Sequence, residues 1–155
     1  MRDSVSLEFF NAELYCIYTA MTRLHGDKAW DIVWLSGEIL FEDVEKELNI
    51  TETEPVAVLR KVGDWFARMG YVSRTDFIVI GENMLEYHLY DPLIIPAARR
   101  LIDEGSAAPH FSTSLMFAAL KKKCGMGAEI IGDPTILPDR HAWEVWRLFK
   151  LGENK

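Results

Sequence analysis

With 155 residues, 49% hydrophobic and 12% aromatic, the chain has the size and apolar supply for one compact domain spanning residues 1–155, and not for a second independent core. Its 24 acidic residues outweigh 17 basic ones for a formal net charge of −7, and the basic residues are scattered apart from Lys121, Lys122 and Lys123, which argues against nucleic acid or an anionic membrane as a partner. No stretch approaches the roughly 18 unbroken apolar residues of a membrane span, and Met1 leads into no basic segment followed by an apolar run; with Cys16 and Cys124 as the cysteines, a reduced cytoplasmic setting is expected.

The first third predicts two long helices, because apolar residues recur every three or four positions. Phe10, Leu14, Ile17, Met21 and Leu24 form one stripe, and Trp30, Val33, Gly37, Phe41, Val44 and Leu48 form the next, with Gly26 and Asp27 as stop and start signals between them. The pair reads as an antiparallel helical hairpin. Gly37 inside the second helix costs about 1 kcal/mol relative to Ala, so its missing side chain marks a place where another backbone crosses closely.

A third helix starts at "TETEP", with Thr53 as cap and Pro55 in the first turn, and carries Leu59, Val62, Phe66 and Met69 before Gly70 closes it. The period then changes to two. "YVSRTDFIVIG" and "NMLEYHLYDP" read as strands joined at Gly81 to Asn83, with Leu85, Tyr87 and Leu89 opposite Glu86, His88 and Tyr90. "PLIIPAARRLIDEG" gives a short helix, and "PHFSTSLMFAALKKKCG" a longer one whose lysines complement its macrodipole as a solvated end. "GAEIIGD" and "HAWEVWRLFK" form a last strand pair, with Trp143, Val145 and Phe149 on one side and Trp146 and Leu148 on the other. Helices and strands in blocks imply an α+β domain in which an antiparallel sheet of about four strands packs against helices.

This order resembles the 4-vinyl reductase, or hydrocarbon-binding, family, which shares its fold with the vesicle-tethering TRAPP subunits. The resemblance is carried by "LSGEILFEDVEKEL", by "PHFSTSLMFAALKKKCG" leading into "MGAEII", and by "PDRHAWEVWRLF". It implies a sensor or carrier that binds a small hydrophobic or aromatic molecule between helices and sheet, forms a homodimer, and has no intrinsic catalysis. It also implies, in some members, a nearby structural zinc ion held by cysteines. Here "PHF" stands where that family has a Pro-x-Cys-aromatic opening, and no cysteine falls at Ser112, before His141 or in the final strand. His110, Asp133 and His141 remain as nitrogen and oxygen donors, with Glu129 four residues ahead of Asp133; they make no recognised spacing motif and read as ordinary polar positions, so neither metal nor cofactor is expected.

His110 itself has two readings: a partner for backbone groups left over at a helix start, or a ligand at the mouth of a pocket. The aromatic residues exceed what the apolar stripes use, which suits a small-molecule cavity or, for Trp34 and Trp146 off the stripes, a partner subunit. The expected cavity lies on the face shared by the last two helices and the sheet, lined by Tyr87, His110, Phe111, Leu115 and Trp143. Cys16 and Cys124 read as buried small hydrophobes. No phosphate-cradling loop, nucleophile elbow or acid/base carboxylate pair is present. "YVSRT" is similar to the Tyr-x-Ser-x-Arg signature of haem-based nitric oxide sensors, but Thr75 stands at the arginine position. The alternatives are a scaffolding subunit of the same fold without ligand, and a winged-helix regulator built on Pro55 to Tyr90, against which Glu52, Glu54 and Asp64 argue.

Overall fold

The computed structural model of the protein describes residues 4–152. In chain order it forms α1 (Leu7–His25), a 3-10 turn at Gly26–Lys28, α2 (Ala29–Leu48), α3 (Pro55–Arg68), β1 (Arg74–Gly81), β2 (Met84–Tyr90), α4 (Ile95–Asp103), α5 (Phe111–Cys124), β3 (Met126–Ile136) and β4 (His141–Lys150). The chain is α+β, with one antiparallel sheet in the order β1-β2-β4-β3. Both hairpins lie where the period-two segments placed them.

On β2 the alternation buries Leu85, Tyr87 and Leu89, and on β4 it buries Ala142, Glu144, Trp146 and Leu148. Leu85, Tyr87, Leu89, Trp146 and Leu148 belong to one core with α5, which is buried on most of its circumference from Ser112 to Leu120. A helix without a free face has to sit centrally. It packs on α2 and α3 and reaches β3. Its crossing with α2 is at Gly37, where a Cβ would stand 2.3 Å from the carbonyl carbon and oxygen of Ser114. The lysine end of α5 is tied back to α2 by Lys121–Glu38 (2.7 Å) and Lys123–Glu45 (2.9 Å).

The turn joins α1 and α2 as read, but the two helices bury their main faces elsewhere, α1 on α4 and α2 on α5. The α2 stripe matches the sequence reading, with Ala29 taking the buried place beside a half-buried Trp30. The α1 stripe is rotated: Asn11, Leu14 and Tyr18 are buried, whereas Ile17 and Leu24 are exposed, Leu24 by 78%. Hydrogen bonds decide the rotation. The Asn11 amide donates to the carbonyls of Leu7 and Leu93 (3.0 and 2.9 Å), and its carbonyl accepts from the Ala97 N–H (3.0 Å), one of the orphan donors at the start of α4. A polar residue therefore fixes which face of α1 turns inward, and Cys16, expected to be buried, is exposed on the far side. Asn11→Ala should destabilise the fold by about 1–3 kcal/mol, read as a lower denaturant midpoint at unchanged slope, because it takes the acceptor from the buried Ala97 N–H and the donor from the part-buried Leu93 carbonyl.

Three further expectations are corrected. The α3 cap is Glu54 and not Thr53, its carboxylate accepting from the Val56 and Ala57 N–H groups (3.0 and 2.8 Å). Met69 is exposed, since the buried face of α3 runs through Val58, Val62, Trp65 and Phe66. Trp146, expected to face a partner subunit, is fully buried between Tyr87 and Phe117, because position 146 falls on the helix-facing parity of β4.

Candidate functional site

Around the N-terminus of α5 the chain brings together a histidine, a glutamate and several hydroxyls. His110 is the N-cap position, yet its side chain makes no cap bond. Instead Nδ1 lies 2.8 Å from Oε1 of Glu144 on β4, with both side chains more than nine-tenths buried. The other carboxylate oxygen accepts from the Thr113 hydroxyl (2.9 Å) and the Trp146 indole N–H (2.7 Å). Burial pushes the Glu144 carboxyl up, but the electrostatic pull of the adjacent His110 and the hydrogen bonds from His110, Trp146 and Thr113 outweigh it and hold the group below the ordinary carboxylate value. Glu144 is therefore a buried anion with its oxygens supplied by three donors, at the positive end of the α5 macrodipole.

The other side of the His110 ring faces α2, with the Trp30 and Trp34 centroids at 5.5 and 5.8 Å. Trp34 stacks on Phe117 (5.5 Å), which meets Trp146 edge-on (4.9 Å). The aromatic surplus of the sequence is largely accounted for by this ladder, which fixes the imidazole between α2 and β4.

Beside the pair lies a cavity bordered by the end of β2, α4, the start of α5 and the β3–β4 hairpin. Its walls are apolar: Leu89, Ile95 and Ala98 on one side, Pro134, Ile136 and Ala142 on the other. The register of β3 shifts between Ile131 and Thr135, with Gly132 at a φ of +72°, and this bulge carries Pro134 and Ile136 to the cavity wall. Across the adjoining loops, Arg140 pairs with Asp91 (2.7 Å) and donates to the Pro92 carbonyl (3.2 Å), while Arg99 donates to the Leu137 carbonyl. The polar end consists of His110, Glu144, Ser112, Thr113 and Tyr71. The space that admits a water-sized sphere measures about 50 Å³, and the whole concavity including its mouth about 490 Å³. A volume of that size exceeds the roughly 10–15 Å³ that admits one water, and is about a third of the 150 Å³ that admits benzene.

The Tyr71 hydroxyl is buried with no hydrogen-bond partner, as is that of Tyr87 deeper in the core; the Ser112 side chain neighbours both. Burial raises both phenols far above their ordinary value, so each remains an O–H donor.

Of the residues expected to line a cavity, His110 and Trp143 border this one. Tyr87, Phe111 and Leu115 lie outside its walls: Tyr87 is stacked on Phe77 (5.1 Å), Phe111 packs on Tyr18 and Tyr71, and Leu115 is fully buried in α5. Glu144 and Tyr71 were missing from that set. Glu144 was detectable as the charged member of the Ala142, Trp146, Leu148 parity on β4. The three candidate metal donors are not brought together: His110 is held by Glu144, His141 lies 2.8 Å from His88, and Asp133 is exposed. Among the described residues no group of three His, Cys, Asp or Glu side chains is placed to hold a metal ion.

No protein-family model matches the chain, and no curated protein sequence matches it significantly. Among solved structures, the chain is similar to an Fe(II) unliganded H-NOX protein mutant from K. algicida, at 15% identity and a TM-score of 0.50, over 84% of this chain and 69% of that one. A haem does not fit the residues here: the cavity has room for less than a benzene without movement of its walls, and Thr75 packs against Gly63 of α3, away from those walls. The likeness is one of fold, an α+β arrangement of helices on an antiparallel sheet.

Proposed function

We propose that the chain is a small-molecule-binding domain of the sensor or carrier kind, as its resemblance to the 4-vinyl reductase family implies. The observation that carries the reading is the cavity between α4, α5 and the sheet, apolar along its walls and polar at one end around His110, Glu144 and Tyr71. That combination is the usual make-up of a small-molecule site. The ligand is small and largely apolar, and an aromatic ring enters only if the walls yield. The fold shared with an H-NOX protein is compatible with this reading.

A homodimer belongs to the same proposal. Ile32, Leu35 and Ile39 line up at helical spacing on the outer side of α2 and are all exposed, a pattern suited to burial against a second subunit. The same stripe favours the second reading, a scaffolding subunit that uses the fold without a ligand. Native mass spectrometry of the purified protein separates the two. The expected result is a dimer mass with a retained or added small molecule at up to one per chain. A dimer that takes up nothing from a panel of apolar and weakly polar compounds, with no saturable shift in melting temperature, would leave the scaffold reading in place.

A further inference from the structure

The two walls of the cavity are tied together across its mouth by the tip of the β3–β4 hairpin. Pro134 and Ile136 belong to the hairpin wall, Ile95 and Ala98 to the α4 wall. One residue beyond each wall, the Arg99 guanidinium of α4 donates to the Leu137 carbonyl at the tip. At the other end of the tip, Arg140 donates to the Pro92 carbonyl (3.2 Å), and its own carbonyl accepts from the Asp91 N–H (3.1 Å). Arg140 Nε stands 2.7 Å from the Asp91 carboxylate but is not aligned for a hydrogen bond, and the Asp91 side chain is 59% exposed, so this contact is a solvent-screened charge pair. Arg140 also holds a φ of +67°, a conformation that a long side chain keeps where its surroundings impose it.

The stretch behind the tip has its own break. β3 is an edge strand, and its ladder to β4 is interrupted between Ile131 and Thr135, where Gly132 adopts a φ of +72° and Pro134 has no N–H to give. Beyond the break the ladder resumes through Thr135–Trp143 and Ile136–Ala142. β4 is fixed on its other side by Leu89–Ala142 and His88–Trp143. The tip is a self-contained turn, in which the Leu137 N–H donates to the His141 carbonyl (2.8 Å) and the Arg140 N–H to the Leu137 carbonyl (3.1 Å).

Resting on the ligand-binding reading above, we propose that residues 132–140 form a lid, hinged at the Gly132 bulge and latched by Arg99 and Arg140, whose release parts the walls to admit one aromatic ring. With the lid closed, the space for a water-sized sphere is about 50 Å³, about a third of what benzene needs. Swinging Pro134 and Ile136 outward enlarges that space and leaves Leu89, Ile95 and Ala98 as an apolar wall. Apparent affinity is then reduced by the fraction of molecules that are open.

Benzene is the probe, titrated by NMR into the wild-type protein, Arg99→Ala, Asp91→Asn and the double variant, with amide hydrogen exchange followed on the same samples. Asparagine at 91 tolerates the positive φ found there, so that variant removes charge without disturbing the backbone. Arg147→Ala is the control, because it breaks a β3–β4 ion pair ahead of the hinge. Arg99→Ala should bind benzene about tenfold more tightly than wild type, the scale of one lost hydrogen bond, through a faster on-rate. Asp91→Asn should gain less, the double variant most, and Arg147→Ala nothing. Faster exchange should be confined to Thr135, Ile136, Leu137 and Arg140. Wild-type affinity and on-rate in the double variant would overturn the lid while leaving a binding cavity. Exchange raised equally along β2 and β4 would overturn it too, since the whole sheet would then be loosened. No saturable benzene binding in any of these proteins, the double variant included, would sink the binding reading and the lid with it.

Discussion

Gly37→Ala should lower the unfolding free energy by about 3 kcal/mol or more, the largest effect expected of a single methyl group in this chain. The added Cβ would stand 2.3 Å from the Ser114 carbonyl carbon and oxygen. Those are backbone atoms of a helix buried on most sides, so neither can step aside as a flexible side chain would. Overpacking of a well-filled core costs roughly 1–3 kcal/mol where side chains can adjust, and a backbone clash lies at or beyond the upper end. Alanine returns about 1 kcal/mol in helix propensity, far short of the steric cost. For a chain of this length the loss corresponds to a fall in Tm of roughly 6–12 °C. Thermal and denaturant unfolding of the purified variant measure it. A change within about 0.5 kcal/mol of wild type would mean that α2 and α5 do not cross at Gly37. The consequence extends to the site, because α5 carries His110 at its start and Trp34 of α2 closes over the imidazole.

Removing the carboxylate at the centre of the site has an expected effect of similar size. Glu144→Ala leaves the His110 ring, the Thr113 hydroxyl and the Trp146 indole N–H without their acceptor in a closed environment, a loss of about 3–5 kcal/mol by the general behaviour of broken buried pairs. Acid titration supplies an independent signature. The folded state holds the Glu144 carboxyl below its ordinary value near 4.5. A depressed carboxyl contributes stability that is fully present above the unfolded value and lost as pH falls through the folded one. Wild-type stability should therefore decline below about pH 4.5 in part through this group, and Glu144→Gln, which has no proton to take up, should show a shallower decline over the same range. Denaturant midpoints of both proteins from pH 6 to pH 3 give the comparison. Parallel curves would place the acid sensitivity on other carboxylates.

Much of the architecture was legible in the chain because it follows from periodicity. The α2 stripe from Val33 to Leu48, the close approach at Gly37 and the parity of β2 and β4 each depend on neighbours within one element, where spacing fixes the face. Periodicity did less well on α1, where Asn11 and not an apolar residue sets the inward face, because its partners Leu93 and Ala97 lie more than 80 residues away. Capping was likewise misjudged at Thr53, where Glu54 reaches the free N–H groups first. His110 could be recognised as the opening residue of α5, and Trp143 and Trp146 as opposite faces of β4. The sequence by itself determined which residues share a face on α2, β2 and β4. Only the tertiary structure decided that the inward Glu144 meets His110, that Tyr71 and not Tyr87 borders the cavity, and that the β3 bulge brings Pro134 and Ile136 to its wall. Those outcomes depend on how α5 docks against β4 and α4, and docking is settled by contacts between elements far apart in the chain, which no local period encodes.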